Sequence, residues 1–511
     1  TIYNPAFGFG SESSTLFLDN AKRQSWIAEP QLNWKKNLSN GRIELLLGST
    51  FQEQKGHQLL QQGTGFSSNN LIYNLAAANT NSILNNMESI YRYQAFFGRI
   101  NYNWLDRYLI NITGRRDGSS RFGTGNQFAN FGAIGGAWLF SKETALINTF
   151  LSFGKLRASY GTSGNDQIGD YQYLDTYSSS GSNYQGTIGL YPTRLFNPNF
   201  AWESNKKLEI ALEAGFLKDR LFFTASGYSN RSSNQLVGTP LPATTGFTSI
   251  QANLNATVEN KGIELTLRTV NFQKSQFNWT TNFNLTIAKN KLVSFPDLKS
   301  STYSRQFVIG QALNIQKVYH LIGVNPQTGI YQFEDVNEDG QITAADDKQT
   351  VKDLNPKYYG GLQNQLRYKH VQLDFLFQFV KQENWNASTM FGVPGTRSNQ
   401  ISDVTNHWQT SGDTNPYQAY TSGTNSSAVQ AYYNYVESDA AITDASYIRL
   451  KNISLSYVVP EKWTKNMQCR LSIQGQNMVT LTKYKGADPE FKAIGYLPPL
   501  KVFTSSIQLT F

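Results

Sequence analysis

Apolar and polar positions alternate along much of this chain with a period of two. Phe277, Trp279, Thr281, Phe283, Leu285 and Ile287 fall on one face of an extended segment; Asn278, Thr280, Asn282, Asn284 and Thr286 fall on the other. Ile263, Leu265 and Leu267 alternate with Glu264, Thr266 and Arg268, and Leu208, Ile210 and Leu212 with polar or small residues that include Glu209 and Glu213. At the C-terminus Phe503, Ser505, Ile507, Leu509 and Phe511 alternate with Thr504, Ser506, Gln508 and Thr510. This repeat belongs to β-strands with one apolar and one polar surface. A soluble sheet could supply one such strand. Charges recurring opposite a wholly apolar face call instead for water inside and lipid outside.

Extended along the chain, the pattern predicts about fifteen strands, at 24–35, 42–55, 91–104, 107–118, 130–140, 151–161, 206–217, 220–233, 255–270, 277–290, 357–368, 371–384, 447–459, 468–480 and 502–511. Short connections, such as Leu105-Asp106, Lys218-Asp219 and Lys369-His370, alternate with long ones. The main long ones lie near 56–90, 162–205, 291–356, 382–446 and 481–501. Turns on one side and long loops on the other are the arrangement of outer-membrane barrels, with the loops extracellular. An odd count whose last strand runs toward the turn side implies at least one strand upstream. The expectation is an all-β, transmembrane antiparallel barrel of which this sequence is the C-terminal portion, with residues 1 to 23 in an external loop. The opening Thr1-Ile2-Tyr3-Asn4 fits a mature or truncated product.

Composition sharpens this reading. The 511 residues include 14% aromatics and only 16% charged side chains, where soluble proteins carry about 25% charge. No run of about 20 apolar residues offers a transmembrane helix, and half-apolar strands need none. The net charge of +9 is scattered rather than gathered on one face, which argues against nucleic acid as a partner. The single cysteine, Cys469, excludes an internal disulfide and a multi-cysteine metal site, and the four histidines show no zinc spacing.

Several segments, in order, carry a family likeness. They include Arg107 to Gly123 (RYLINITGRRDGSSRFG), Trp138 to Glu143 (WLFSKE) and Lys155 to Asn165 (KLRASYGTSGN). Asn197 to Glu203 (NPNFAWE), Pro356 to Gly361 (PKYYGG), Ser446 to Asn452 (SYIRLKN) and Thr482 to Glu490 (TKYKGADPE) continue it. Together they resemble the SusC/RagA family of TonB-dependent outer-membrane transporters. The resemblance implies a plugged barrel of roughly 22 strands, with the plug domain and the TonB box absent from this sequence. It also implies three partners. These are a SusD-like surface lipoprotein acting as a hinged lid, the TonB-ExbB-ExbD system working through the missing N-terminal part, and an oligosaccharide or peptide ligand. Outer-membrane lipid surrounds such a barrel. The implied function is energised import of nutrient oligomers. A non-transporting barrel that scaffolds an outer-membrane assembly is the alternative.

One local motif carries possible metal chemistry. Asp335, Asn337, Asp339, Gln341, Thr343 and Asp346 match the ligand positions of a twelve-residue calcium loop, and Gly340 matches its sharp turn. The twelfth position holds Asp346 rather than Glu, with Asp347 beside it. The expected role of a bound Ca²⁺ is structural; without an ion the segment is an acidic turn. Arg115, Arg116, Asp117, Ser119, Ser120 and Arg121 mark an outer strand end, where Asp117 is expected to pair with a neighbouring arginine and fix the loop. Tyr171, Tyr173, Tyr177, Tyr184 and Tyr191 enrich one loop, and Tyr417, Tyr420, Tyr432, Tyr433 and Tyr435 another. Such rings can stack on a ligand or pack the loop. No catalytic constellation is legible: there is no nucleophile elbow and no histidine in a triad context. The chain is read as a non-enzyme with its substrate-binding residues unassigned.

Overall fold

The computed structural model describes residues 14–147, 149–464, 467–491 and 497–510. Sixteen strands form one antiparallel sheet. In chain order they are β1 (Thr15–Ala28), β2 (Gln31–Leu38), β3 (Gly41–Thr64), β4 (Thr80–Trp104), β5 (Tyr108–Ser119), β6 (Phe128–Trp138), β7 (Leu151–Asn165) and β8 (Glu203–Phe216). The rest are β9 (Leu221–Pro240), β10 (Ser249–Gln273), β11 (Phe277–Ser294), β12 (Tyr358–Tyr368), β13 (Val371–Lys381), β14 (Tyr447–Val459), β15 (Gln468–Thr482) and β16 (Val502–Thr510). From β3 to β16 every strand pairs with the next in sequence, an up-and-down meander.

Strands β1 and β2 both pair with β3 in one register: Ala28 faces Phe51 and Gln31 faces Gly48. They are one line of chain interrupted at Pro30, which has no N–H to give the ladder. Its carbonyl still accepts from Ser49 N at 3.1 Å. Counted this way the sheet has the fifteen strands expected, with two corrections. Residues 15 to 23, expected in a loop, belong to β1, while 1 to 13 lie outside the described residues. Strands β3 and β4 also run on through the expected loop 56–90 and leave only 65–79 as connection. The added segments are rich in Gln and Asn on both faces. Beyond the bilayer both faces meet water, so the period-two signal disappears while the ladder continues.

Two short connections use left-handed residues without glycine: Leu105 and Asp106 in one, Leu217, Lys218 and Asp219 in the other. Each non-glycine residue held there costs about 1–3 kcal/mol. Asp219 offsets part of this by accepting from Ser152 Oγ at 2.7 Å, while its N–H donates to the same oxygen at 2.9 Å.

The apolar residues distribute as lipid exposure requires. Ile263 faces Ile287, Leu265 faces Leu285 and Leu267 faces Phe283 across β10 and β11. Gly360 of β12 lies between Leu285 and Phe379. A Cβ on Gly360 would sit 2.5 Å from the Phe379 ring; its absence lets Phe283 and Phe379 stack at 5.9 Å. Many strand apolar side chains are exposed, among them Ile473 and Ile507, the inverse of a soluble core. Buried apolar clusters lie instead in the connections. The chain divides into two compact units. Unit 1 comprises residues 1–136, 160–206 and 232–255, and unit 2 comprises 137–159, 207–231 and 256–511.

Candidate functional site

In unit 2 the two longest connections have folded structure of their own. Ile315–Val318 pairs with Thr350–Asp353, and Leu321–Val324 pairs with Tyr331–Phe333. The later connection contributes Glu383–Trp385 paired with Ile442–Asp444, and a helix, α1 (Ser426–Val436). Asn425 caps α1, its side-chain oxygen accepting from Ala428 N at 3.1 Å. Ala428, Ala431, Tyr432 and Tyr435 recur at helical spacing and form its buried face. That face closes over Tyr319, Tyr331, Phe333 and Val393. Tyr331 and Tyr435 stack with centroids 4.5 Å apart and planes within 7°. Burial drives the Tyr331 phenol far above its ordinary range and pushes Tyr432 up to about 12. Tyr432 stays satisfied by donating to the Ser388 carbonyl at 3.1 Å. His320 Nδ1 meets Asp439 Oδ2 at 2.8 Å, and the Leu321 N–H donates to Asp439 Oδ1. The connections 295–357 and 382–446 are therefore one packed body, not two free loops.

A third connection is fastened in the same unit. Arg449, 1% exposed, donates to Asp488 Oδ2 at 2.5 Å, to Glu490 Oε2 at 2.6 Å and to Thr480 Oγ1 at 2.9 Å. Lys451 adds a contact to Glu490 at 3.0 Å. Gln382 Nε2 donates to the Pro489 carbonyl at 2.6 Å.

The acidic loop hangs from Phe333. Asp335 accepts from Gly340 N at 2.7 Å and from Asp339 N at 3.3 Å; Gly340 takes a positive φ of 80°. Asp339 accepts from Gln341 N at 2.8 Å and from Asn337 Nδ2 at 2.9 Å; Asp346 accepts from Thr343 Oγ1 at 3.0 Å. The organising residue is Asp347, fully buried, which accepts from Val336 N and Thr343 N at 2.8 and 2.7 Å. The donor types suit calcium, but these oxygens are engaged within the turn. Among the described residues no three His, Cys, Asp or Glu side chains gather as metal ligands.

In unit 1 the arginine-rich strand end is internally satisfied. Arg115 Nε donates to both Asp117 oxygens, at 2.8 and 2.9 Å, and its Nη2 reaches Tyr93 at 2.7 Å. Arg116 meets Asn130 at 3.1 Å and lies over the Phe128 ring. Arg121 holds Asp170 at 2.9 Å and the Asp166 carbonyl at 2.9 Å, over the ring of Tyr91. The buried Ser119 accepts from Arg121 N, and Ser120 accepts from Arg92 N. Behind them Phe122 packs against Phe200 and Trp202. A hairpin, Thr176–Tyr184 with Thr187–Arg194, leaves Tyr177, Tyr184, Ile188, Leu190 and Tyr191 exposed.

Residues 2–478 match the TonB dependent receptor-like, beta-barrel family. The chain belongs to that family. It is 30% identical over 502 residues to TonB-dependent receptor P3 of Formosa agariphila, covering 91% of this chain and 48% of the relative. It is 28% identical to TonB-dependent receptor SusC of Bacteroides thetaiotaomicron, covering 78% and 41%. The structure of the RagAB peptide transporter superposes with a TM-score of 0.82 at 23% identity, covering 98% of this chain and 56% of that one. The chain thus spans about half the length of the curated relatives it matches. The SusC/RagA likeness and the outer-membrane β-barrel location stand on these matches. The named relatives are receptors rather than enzymes, in keeping with the non-enzymatic reading.

Within this family barrel the predicted tyrosines separate into two groups. Tyr432 and Tyr435 are core, Tyr173 packs on the Phe122 cluster, and Tyr420 stacks on His407 at 3.7 Å. Tyr177, Tyr184, Tyr191 and Tyr433 remain exposed and available to a partner or ligand. Sequence reading missed the Arg449–Asp488–Glu490 clasp, whose members are 39 and 41 residues apart. It also gave Asp347 a spare role.

Proposed function

We propose that the chain is the C-terminal barrel portion of a TonB-dependent importer of nutrient oligomers, glycans or peptides, working with a SusD-like surface lipoprotein. The observation that carries this reading is the folding of long connections of unit 2 into a cored body on a family barrel. A barrel used only as a scaffold needs no such investment of ordered chain in its loops. Energy enters through TonB-ExbB-ExbD acting on the portion of the protein outside this sequence. The exposed hairpin 176–194 offers Ile188, Leu190 and Tyr191 as the seat for the lipoprotein. Exposed apolar side chains on an ordered hairpin are the kind of surface a partner covers.

The test uses the full-length protein in its native membrane. Energy-dependent uptake of glycan or peptide oligomers, lost when the proton gradient is collapsed, supports the reading. Its absence favours the scaffold alternative. Ile188→Asp with Leu190→Asp is expected to release a co-purifying lipoprotein while the barrel stays folded; full retention removes the hairpin from the interface. Removal of 382–446 is a poor test, because it strips α1 from Tyr319, Tyr331 and Phe333. Calcium at Asp335, Asn337, Asp339, Gln341, Thr343 and Asp346 is part of the proposal on donor type and spacing alone. A calcium titration by calorimetry that shows no heat, or one unaltered in Asp339→Ala, rejects it.

A further inference from the structure

The outward apolar row of β11 runs from Phe277 to Ile287 and then changes to Lys289 and Lys291. Twelve residue steps from Phe277 to Lys289 cover about 40 Å along a strand. At a tilt of about 45° that is close to 30 Å of height, the thickness of the hydrocarbon layer. Lys289 therefore stands at the membrane surface on the side of the long connections. Its cross-strand partner on β10 is another cation, Lys261, and the next pair outward on the same face is Glu259 with Lys291. Like charges set directly opposite destabilise a ladder. Glu259 is already taken by Arg231 at 2.8 Å, with Lys261 at 3.8 Å. Among the described residues Lys289 has no ion-pair partner, because Glu259 already serves Arg231 and Lys261.

Below the lysines lies a groove of about 650 Å³ on the same face, bounded by Leu208, Ile210, Ile263 and Ile287. Its floor is Gly227, where an added Cβ would meet nothing within 4 Å. Apolar walls line the groove, and two ammonium groups stand at its outer mouth, Lys261 sharing Glu259 with Arg231 and Lys289 with no ion pair among the described residues.

We propose that this groove is a binding site for a phospholipid of net negative charge, with an acyl chain over Gly227 and the headgroup phosphate between Lys261 and Lys289. The apolar walls supply contact area, and the lysines supply charge complementary to an anion. The site depends on the outer-membrane location and not on import.

The test is native mass spectrometry of the full-length protein in detergent, titrated with phosphatidylglycerol or phosphatidylcholine of the same acyl chains. Wild type is expected to retain the anionic lipid over the zwitterionic one by about fivefold or more. Lys261→Gln with Lys289→Gln should bring the two lipids to parity. Gly227→Leu should lower retention of both, because it fills the chain seat and leaves the charges alone. Folding of each variant is checked by heat-dependent gel mobility. Parity in wild type overturns the proposal, as does an unchanged preference in the double variant. Displacement of bound lipid by millimolar inorganic phosphate would show that the headgroup alone binds, and overturns the groove. A loss of oligomer mass in Gly227→Leu without a change in lipid retention would assign the face to a second copy of the chain instead.

Discussion

Arg115 and Arg449 both stand near strand ends beside carboxylates, yet they hold their regions differently. Arg115 is 40% exposed at its side chain and pairs with Asp117, two residues along the same strand. Arg449 is fully buried and joins Asp488 and Glu490 from a distant connection. The first pair is cheap to form: neighbours on one face of a strand need no loop closure, and the half-exposed guanidinium keeps much of its water while Asp117 is buried beneath it. The second gathers one cation and two carboxylates out of water, which costs several kcal/mol per ion unless every partner is present. It contributes specificity of place: residues 483–491 fit in one position, the one that completes the triad.

That contrast can be broken in order of size. Arg449→Ala leaves Asp488 and Glu490 without their cation and should cost about 3–5 kcal/mol of local stability. Hydrogen exchange should accelerate across 483–491; unchanged protection there would mean the clasp holds nothing. Tyr435→Ala removes the ring stacked on Tyr331 and opens a void in the loop body, at about 3 kcal/mol. Protease resistance of 315–353 and 383–444 should fall together, because both connections share that core. Separate loss of one alone would show they are independent. Arg115→Ala leaves the buried Asp117 carboxylate without its cation beside a half-exposed site and should cost about 1–2 kcal/mol, read as a modest shift in thermal unfolding.

The smallest effect is a pH dependence. Lys381 beside Asp444, at 2.8 Å and with help from Ser446, pulls that carboxyl down to about 2. A depressed carboxyl contributes stability that is present above its unfolded value, about 3.9, and is lost as pH falls through about 2. The pair is half exposed, so its share stays under about 1 kcal/mol. Protection of the Glu383–Asp444 ladder should weaken slightly between pH 4 and 2 in wild type, and not in Asp444→Asn. An equal response in both removes the pair from the account.

Legibility followed the solvent. Phe277 to Ile287 could be read as a strand because lipid on one side and water on the other force a period of two. Residues 56–64 and 80–90 could not, since water meets both of their faces. The Asp117 pairing was readable from a spacing of two. The acidic motif was readable as residue types, but its centre proved to be Asp347, because burial rather than spacing selects the carboxylate that closes the turn.

The fifteen-strand meander, the sorting of short turns from long connections, the family and the membrane location could all be read before any fold was in hand. All of these depend on local periodicity or on contiguous motifs. Packing revealed which tyrosines are core, that two long connections form one body around α1, and that Arg449 closes a third. It also set Lys261 against Lys289 above an apolar groove. These depend on register and on side chains that are remote in sequence, where the energy of a contact is fixed only once the fold has set its distance from water.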